Sequence, residues 1–275
     1  MHDDAVIVQA AVTGSIATAE RNPDLPMSPS AIVQSALAAW RAGAAMLHIH
    51  ARTVDGTPTQ DVELFKEIMT GLNEAQCDAV INLSTGSAGG RSSGPERYGC
   101  LALKPEMASF DAGSTNFGTW VFENSRPFLA DMAREFAARG VKPEIECFDT
   151  SHIVTALALR DEGLLSDPMH FQLVLGVPGG AHATLQQVAY MHSLLPSDAT
   201  WSICGIGRSQ LPMNLIALAA GAHLRTGLED NLYYARGQPA KGNAQLVERV
   251  VRLAQEVGRP VASPADTRRL LNLAQ

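Results

Sequence analysis

The amino-acid sequence predicts a single (β/α)8 TIM barrel over residues 1–275. Short apolar runs of strand length alternate from end to end with amphipathic stretches of helix length, giving eight strands and about eight helices. The runs are almost continuously apolar, as strands buried on both faces require. The residues that interrupt this character are histidines, serines, carboxylates and an arginine. They collect at the carboxyl ends of the runs, where barrel enzymes keep their chemistry. A doubly wound open sheet is the competing architecture, but no Gly-x-Gly-x-x-Gly follows the first run.

The first strand is Val6 to Val12, closed by Thr13-Gly14-Ser15. Ser28-Pro29 opens a helix, with serine as N-cap and proline at the first helical position, and Gly43 stops it. The second strand runs from Ala44 to Arg52, and Asp55-Gly56-Thr57-Pro58 is a turn. Asp61 to Glu74 is a helix, and Ala79 to Leu83 is the third strand, leading into Ser84-Thr85-Gly86-Ser87. Ala88 to Pro105, rich in glycine and serine, reads as a loop with one short helix. Met107–Phe110 is strand four, followed by a helix over Asn124–Arg139 with Gly140 as its stop. Pro143–Phe148 is strand five, and Asp149 to Ser151 cap a helix ending near Gly163. Phe171–Leu175 and Thr200–Cys204 are strands six and seven, separated by a helix capped by Thr184. A helix over Gln210–Ala220 leads to strand eight, His223–Leu228. Helices over Asn243–Val257 and Ser263–Leu273 complete the chain.

The second strand carries the strongest chemical pattern. Side chains alternate along a strand, so Met46, His48, His50 and Arg52 share one side. Two imidazoles at one strand end make most of a zinc site. Taken alone, His-x-His fits equally well two structural histidines bonded to backbone. Strand eight closes a barrel beside strand one, which brings Glu229 across the mouth as a third ligand. Two histidines, a glutamate and open positions form a catalytic zinc arrangement. Arg225 has the parity to point inward, where a buried guanidinium needs a carboxylate such as Glu146 or Asp230. His152, His170, His182 and His192 are read as structural or surface residues.

The composition, 46% apolar and 18% charged, is that of a globular chain rather than a disordered one. A net charge of -7 gives no electrostatic reason to expect nucleic acid or an acidic membrane as partner. No apolar run is long enough to span a bilayer and the start lacks signal-peptide character, so a cytoplasmic protein is expected. Cys77, Cys100, Cys147 and Cys204 are scattered, which predicts reduced thiols rather than a disulfide framework.

Six stretches give the chain a resemblance to the β-keto acid cleavage enzymes, whose founding activity is 3-keto-5-aminohexanoate cleavage. They are Ala10-Ala11-Val12-Thr13-Gly14, Gly43 to Arg52, Ile81 to Gly86, Lys142 to Glu146, Gly205 to Arg208, and Arg225 to Asn231. The histidine strand and the Arg-x-Gly-x-Glu-Asp-Asn stretch are the specific ones. The resemblance implies a TIM barrel assembled as a homotetramer, with zinc on His48, His50 and Glu229. It implies reaction of a β-keto acid with acetyl-CoA to give acetoacetate and a new acyl-CoA. Ser84, Gly86, Ser87 and Ser109 would hold the substrate carboxylate and keto end. Arg225, Asp230 and Glu146 would do the proton and charge work.

Two positions depart from the family pattern. A glutamate that meets the ammonium of the amino substrate is replaced here by Ile16, and an aspartate after the arginine is replaced by Thr53. The first points to a substrate with an uncharged far end. Gly207-Arg208 follows strand seven, where barrels often hold a phosphate. The alternative function is a metal-dependent hydrolase of the amidohydrolase type. It calls for the His pair on strand one and further histidines after strands five and six, where this chain has Asp149 and Gly176. A metabolite-binding barrel without turnover is a third reading, disfavoured because convergent buried polar groups are costly to keep.

Overall fold

The computed structural model describes residues 4–86, 88–90, 92 and 94–273. Eight parallel strands close into a barrel: β1 (Val8–Ala11), β2 (Met46–Ile49), β3 (Val80–Leu83), β4 (Met107–Asp111), β5 (Lys142–Cys147), β6 (His170–Leu175), β7 (Thr200–Gly205) and β8 (His223–Thr226). They neighbour one another in chain order, and β8 pairs with β1 through Val8↔Leu224 and Gln9↔Arg225. The surrounding helices are α1 (Pro29–Arg41), α2 (Val62–Glu74), α3 (Arg126–Arg139), α4 (Thr150–Asp161), α5 (Leu185–Ser193), α6 (Gln210–Ala219), α7 (Asn243–Glu256) and α8 (Pro264–Leu270). A 3-10 helix, Pro95–Leu103, takes the place of the crossover helix between β3 and β4.

Outward-facing residues such as Leu47, Ile49 and Phe110 pack with the helices in one large core. The inward-facing residues form layers. Ile7, Met46, Val80 and Met107 fill the amino-terminal end, closed off by Ala262 and Leu271. Above them lies a layer of amides and carboxylates, and above that the charged groups of the mouth. Sequence-predicted caps hold the helices in register: Ser28, Asp61 and Thr184 each accept a backbone N–H of the first turn.

The second strand departs from the expected span. Its barrel ladder ends at Ile49, His50 lies outside it, and Ala51–Arg52 turns away to pair antiparallel with Pro58–Thr59. The cause is Arg52, which is buried and donates to the carbonyls of Gly14 (3.0 Å), Ala17 (3.0 Å) and Gly56 (2.8 Å). Its guanidinium stitches the loop after β1 to the turn after β2. Strand eight likewise ends early, at Thr226, because Gly227 adopts a φ of 138°. A Cβ there would lie 2.1 Å from the Ala11 carbonyl oxygen, so only glycine lets the chain pass β1 this closely. Past strand four, a hairpin of Thr115–Phe117 and Trp120–Phe122 precedes α3. No element is assigned to this stretch from the sequence alone.

Candidate active site

Strands β2, β3, β4, β5 and β8, or the turns directly after them, deliver polar side chains to the carboxyl end, where they line one cavity of about 540 Å³. His48 comes from β2, and His50 follows just beyond it. Their rings meet edge to face, with centroids 5.2 Å apart. Glu229 arrives from the turn after β8, not by strand parity. Its Oε1 lies 3.2 Å from His50 Nε2 and 3.6 Å from His48 Nε2. Gly14 makes room for it: φ is 64°, and a Cβ there would sit 2.5 Å from Glu229 Cγ.

Arg225 is the hub of the charges. It donates through Nε and Nη2 to both oxygens of Asp230 (2.9 and 3.0 Å), through Nη1 to Glu146 (2.8 Å), and through Nη2 to Glu229 (2.7 Å). A guanidinium held by three buried carboxylates stays charged, and its pKa is pushed further up despite burial. The carboxylates pull in different directions. Burial raises Glu146 well above the ordinary range and raises Asp230 as well, both against the pull of Arg225. Glu229 is also buried, but attraction to His50, Arg225 and His48 outweighs burial and holds its carboxyl low. Burial lowers His48 to about 4, so it is neutral near pH 7 and a competent ligand.

His48, His50 and Glu229 offer ligand atoms within 4.8 Å of one another. Glu229 Oε2 is buried without a hydrogen-bond partner, a donor left free for a cation. His48 Nδ1 faces Asn82 Oδ1 at 3.3 Å, which leaves Nε2 turned to the site. These residues fit a divalent metal. A second set, His48 with Glu144 and Glu146, shares the same histidine. Its carboxylates are largely engaged elsewhere: Glu144 accepts through Oε2 from Asn82 (2.7 Å) and Gln9 (3.0 Å) and keeps Oε1 3.7 Å from His170 Nε2, and Glu146 accepts from Arg225.

Ser84 and Ser109 both line the cavity. Ser84 Oγ accepts from Gly86 N (3.0 Å), and Ser109 Oγ accepts from Thr85 N (3.0 Å), so each hydroxyl keeps its proton to donate. Gly86 lines the same wall, and Ser87 lies outside the described residues. Ile16 stands at the rim, 54% exposed. His152 and His170 are buried structural residues. His152 faces Thr115, and His170 contacts Thr200 at the amino-terminal end of the barrel. His182 and His192 are exposed, and the four cysteines are free thiols.

Three features of the cavity escaped the sequence reading. Asp111 lines it, raised by burial against the attraction of Arg97, whose Nη2 is 3.7 Å away. Its position two residues beyond Ser109 on the same strand is the clue that parity offers. Asn82 and Glu144 extend the polar layer beneath His48. The hairpin brings Phe117, Trp120 and Phe122 to the wall beside Phe148. Gly118-Thr119 between aromatic residues is a two-residue hairpin pattern visible in the sequence.

A profile of the beta-keto acid cleavage enzymes matches residues 5–273. The chain belongs to the β-keto acid cleavage enzyme family. It is 42% identical to the 3-keto-5-aminohexanoate cleavage enzyme of Acetoanaerobium sticklandii, over 99% of this chain and 100% of that one. It is 40% identical to the 3-oxoadipate:acetyl-CoA acetyltransferase of Cupriavidus necator, over 97% and 94%. It is 37% identical to the 3-dehydrocarnitine:acetyl-CoA trimethylamine transferase of Rhizobium meliloti, over 98% and 97%. Among solved structures, apo ObcA superposes with a TM-score of 0.79 at 22% identity. The match covers 92% of this chain and 66% of that one, and it speaks for the barrel alone. Membership in this family makes the chain an enzyme. Among the described residues, no helix is long and apolar enough to cross a membrane.

Proposed function

We propose that this β-keto acid cleavage enzyme condenses a β-keto acid with acetyl-CoA, releasing acetoacetate and a new acyl-CoA, with zinc on His48, His50 and Glu229. The observation that carries the reading is the placement of the Arg225 carboxylate cluster against the His-His-Glu set on the floor of one cavity. A bound zinc ion would supply Lewis-acid polarisation of the keto group. Ser84 and Ser109, whose hydroxyls keep their protons to donate, present donors suited to the substrate carboxylate. Asp230, held in place by two hydrogen bonds from Arg225, takes the proton from the carbon between carboxylate and ketone. Arg225 offsets the negative charge that then develops, and the cavity's low dielectric strengthens that interaction. The carbanion attacks the acetyl thioester and expels CoA thiolate, and the thiolate adds to the original keto carbon. As the old carbon–carbon bond breaks to leave the new acyl-CoA, Glu146, pushed toward its protonated form by burial, can hand a proton to the departing acetoacetate carbon. The amidohydrolase alternative gains nothing: no histidine ends β5 or β6, and the histidine pair sits on β2.

The relatives' names differ in the far end of the keto acid, which is an amine, a carboxylate or a trimethylamine group. In this chain Ile16 occupies the rim after β1. The acids that line the cavity, Asp111, Glu146, Glu229 and Asp230, already face guanidinium groups. A buried ammonium without a carboxylate costs several kcal/mol. These contacts disfavour an ammonium in the cavity, and the apolar Ile16 side chain supports a substrate with an uncharged far end. The test compares kcat/KM for 3-ketohexanoate and its 5-amino analogue in wild type and Ile16→Glu. Wild type should prefer the unsubstituted acid, and Ile16→Glu should shift the preference toward the amine. A wild-type preference for the amine, or an unchanged preference in the variant, defeats the assignment.

A further inference from the structure

We infer that the rim formed by Arg21, Arg208 and Tyr233 binds the nucleotide-phosphate end of the CoA thioester; this rests on the acyl-transfer reading above. The argument starts from where the chain leaves its positive charge. Most arginines here are tied to carboxylates or carbonyls. Among the described residues, only the side chains of Arg21, Arg41, Arg208 and Arg236 make no hydrogen bond or ion pair. Arg41 ends α1, at the opposite end of the barrel. The other three cluster at the mouth, where Arg21 and Arg208 line the cavity and Arg236 lies in the hairpin after β8. Arg21 makes no ion pair even though Glu20 and Asp24 are close to it in sequence.

Hydrogen bonds hold the segments that carry Arg21 and Arg208 against one loop, the turn after β8. Asn22, next to Arg21, donates to the carbonyls of Leu232 (2.8 Å) and Ala240 (3.0 Å). Gly207, next to Arg208, donates its N–H to the Asp230 carbonyl (2.7 Å). The loop that follows Asp230 therefore packs against both arginine-bearing segments and presents Tyr233, 41% exposed, at the cavity edge. Two free guanidiniums flanking an exposed ring match a ligand that carries phosphates and an adenine. Arginine pairs with phosphate through two hydrogen bonds, and a base stacks on an aromatic face.

The rest of the cavity supplies the path inward. Ile206 precedes Gly207-Arg208 and, with Val174, Val177 and Phe148, makes an apolar wall. That wall runs from the cationic rim toward Arg225 and the histidines, and suits the uncharged arm of a thioester. The charge pattern also solves a problem of approach. The chain carries a net charge of -7 and the cavity floor is crowded with carboxylates, so an anionic co-substrate needs a local positive rim to enter.

The test is isothermal titration of free CoA and of pantetheine into wild type, Arg41→Ala, and the double variant Arg21→Ala/Arg208→Ala. Wild type and Arg41→Ala should bind CoA well and prefer it to pantetheine. The double variant should weaken CoA by about tenfold or more, near the loss expected for charge-assisted contacts to phosphate, and should lose the preference. The wild-type preference should also shrink as salt is raised. Wild-type affinity for CoA in the double variant overturns the assignment. So does a double variant whose only defect is a raised KM for a keto acid with a far-end carboxylate, since the arginines would then serve the other substrate. Arginine-dependent CoA binding without acetoacetate formation from any β-keto acid would leave the site standing and remove the acyl-transfer reading.

Discussion

The two ends of this barrel are built from the same eight strands and behave as different materials. At the amino-terminal end, Ile7, Met46, Val80 and Met107 pack under Leu271, and the cluster carries no charge. Toward the other end of the barrel stand His48 and Arg225, with Asp111, Glu146, Glu229 and Asp230 around them. Between the two lies a layer of amides in series. Gln172 donates to Gln9 (2.9 Å), Gln9 and Asn82 donate to Glu144, and Asn82 faces His48. Most TIM barrels fill this layer with branched apolar residues. Here it is polar, and the difference teaches what the layer is for: it holds the geometry of the charged mouth from below, while the apolar end supplies stability.

That division can be broken most directly at Arg225. Arg225→Ala leaves Asp230, Glu146 and Glu229 buried without their guanidinium. We expect a stability loss of about 3–5 kcal/mol, the usual result of removing one partner of a buried ion pair. Turnover should fall by about 10³-fold, as when a donor to developing negative charge is lost. The counterpart at the other end is Met107→Ala. It should cost about 2–5 kcal/mol through the cavity it opens, while kcat of the folded enzyme stays within a few fold. Urea denaturation and steady-state kinetics on both variants read the two effects separately. An equal fall in kcat from Met107→Ala would show that the ends are not independent.

The middle layer is the next test. Asn82 Oδ1 fixes the His48 ring, and a group that orients a ligand in this way is worth about 10–100-fold in metal affinity. Asn82→Ala should therefore lose metal at a lower chelator concentration than wild type, measured by elemental analysis after dialysis, with the barrel still folded by circular dichroism. Unchanged metal retention would mean that His48 is positioned by its strand alone.

The same contrast explains how much of the molecule the sequence exposed. The eight strands were legible because most are apolar runs bounded by turn residues. His48, His50, Ser84, Arg225 and Glu229 were legible because a polar side chain in such a run stands out. Asp111 was harder, since its strand was expected to stop at Phe110. Arg52 was placed on the histidine face by parity, but its guanidinium turns to carbonyls of Gly14, Ala17 and Gly56, contacts set by tertiary packing. Arg97 is the clearest case of hidden information. It is fully buried and donates to Thr85 O (2.9 Å), Glu123 O (2.8 Å) and Asn124 Oδ1 (2.8 Å). Nothing in the local sequence around it, which reads as a glycine- and serine-rich loop with one short helix, announces that role.

The smallest predicted effect belongs to the apolar end, where two histidines sit just beyond the methionines. His223 is buried, and its Nδ1 accepts the Ile7 N–H at 3.1 Å, so that nitrogen must be unprotonated in the folded chain. Burial, with repulsion from His170 and Arg259, lowers its pKa to about 3 from an ordinary value of 6.5. The unfolded chain therefore binds a proton that the folded chain refuses. The stabilisation is fully present above pH 6.5 and erodes as pH falls toward 3, at about 1.4 kcal/mol per pH unit. His223→Asn keeps an acceptor for Ile7 and removes the titration. Carboxylates elsewhere titrate in both proteins, so the difference between them isolates His223. Between pH 7 and pH 5.5, urea unfolding should show wild type losing about 1 kcal/mol more than the variant. Parallel pH profiles would mean that His223 finds room for its proton in the folded barrel, and that the closed end is less rigid than its packing indicates.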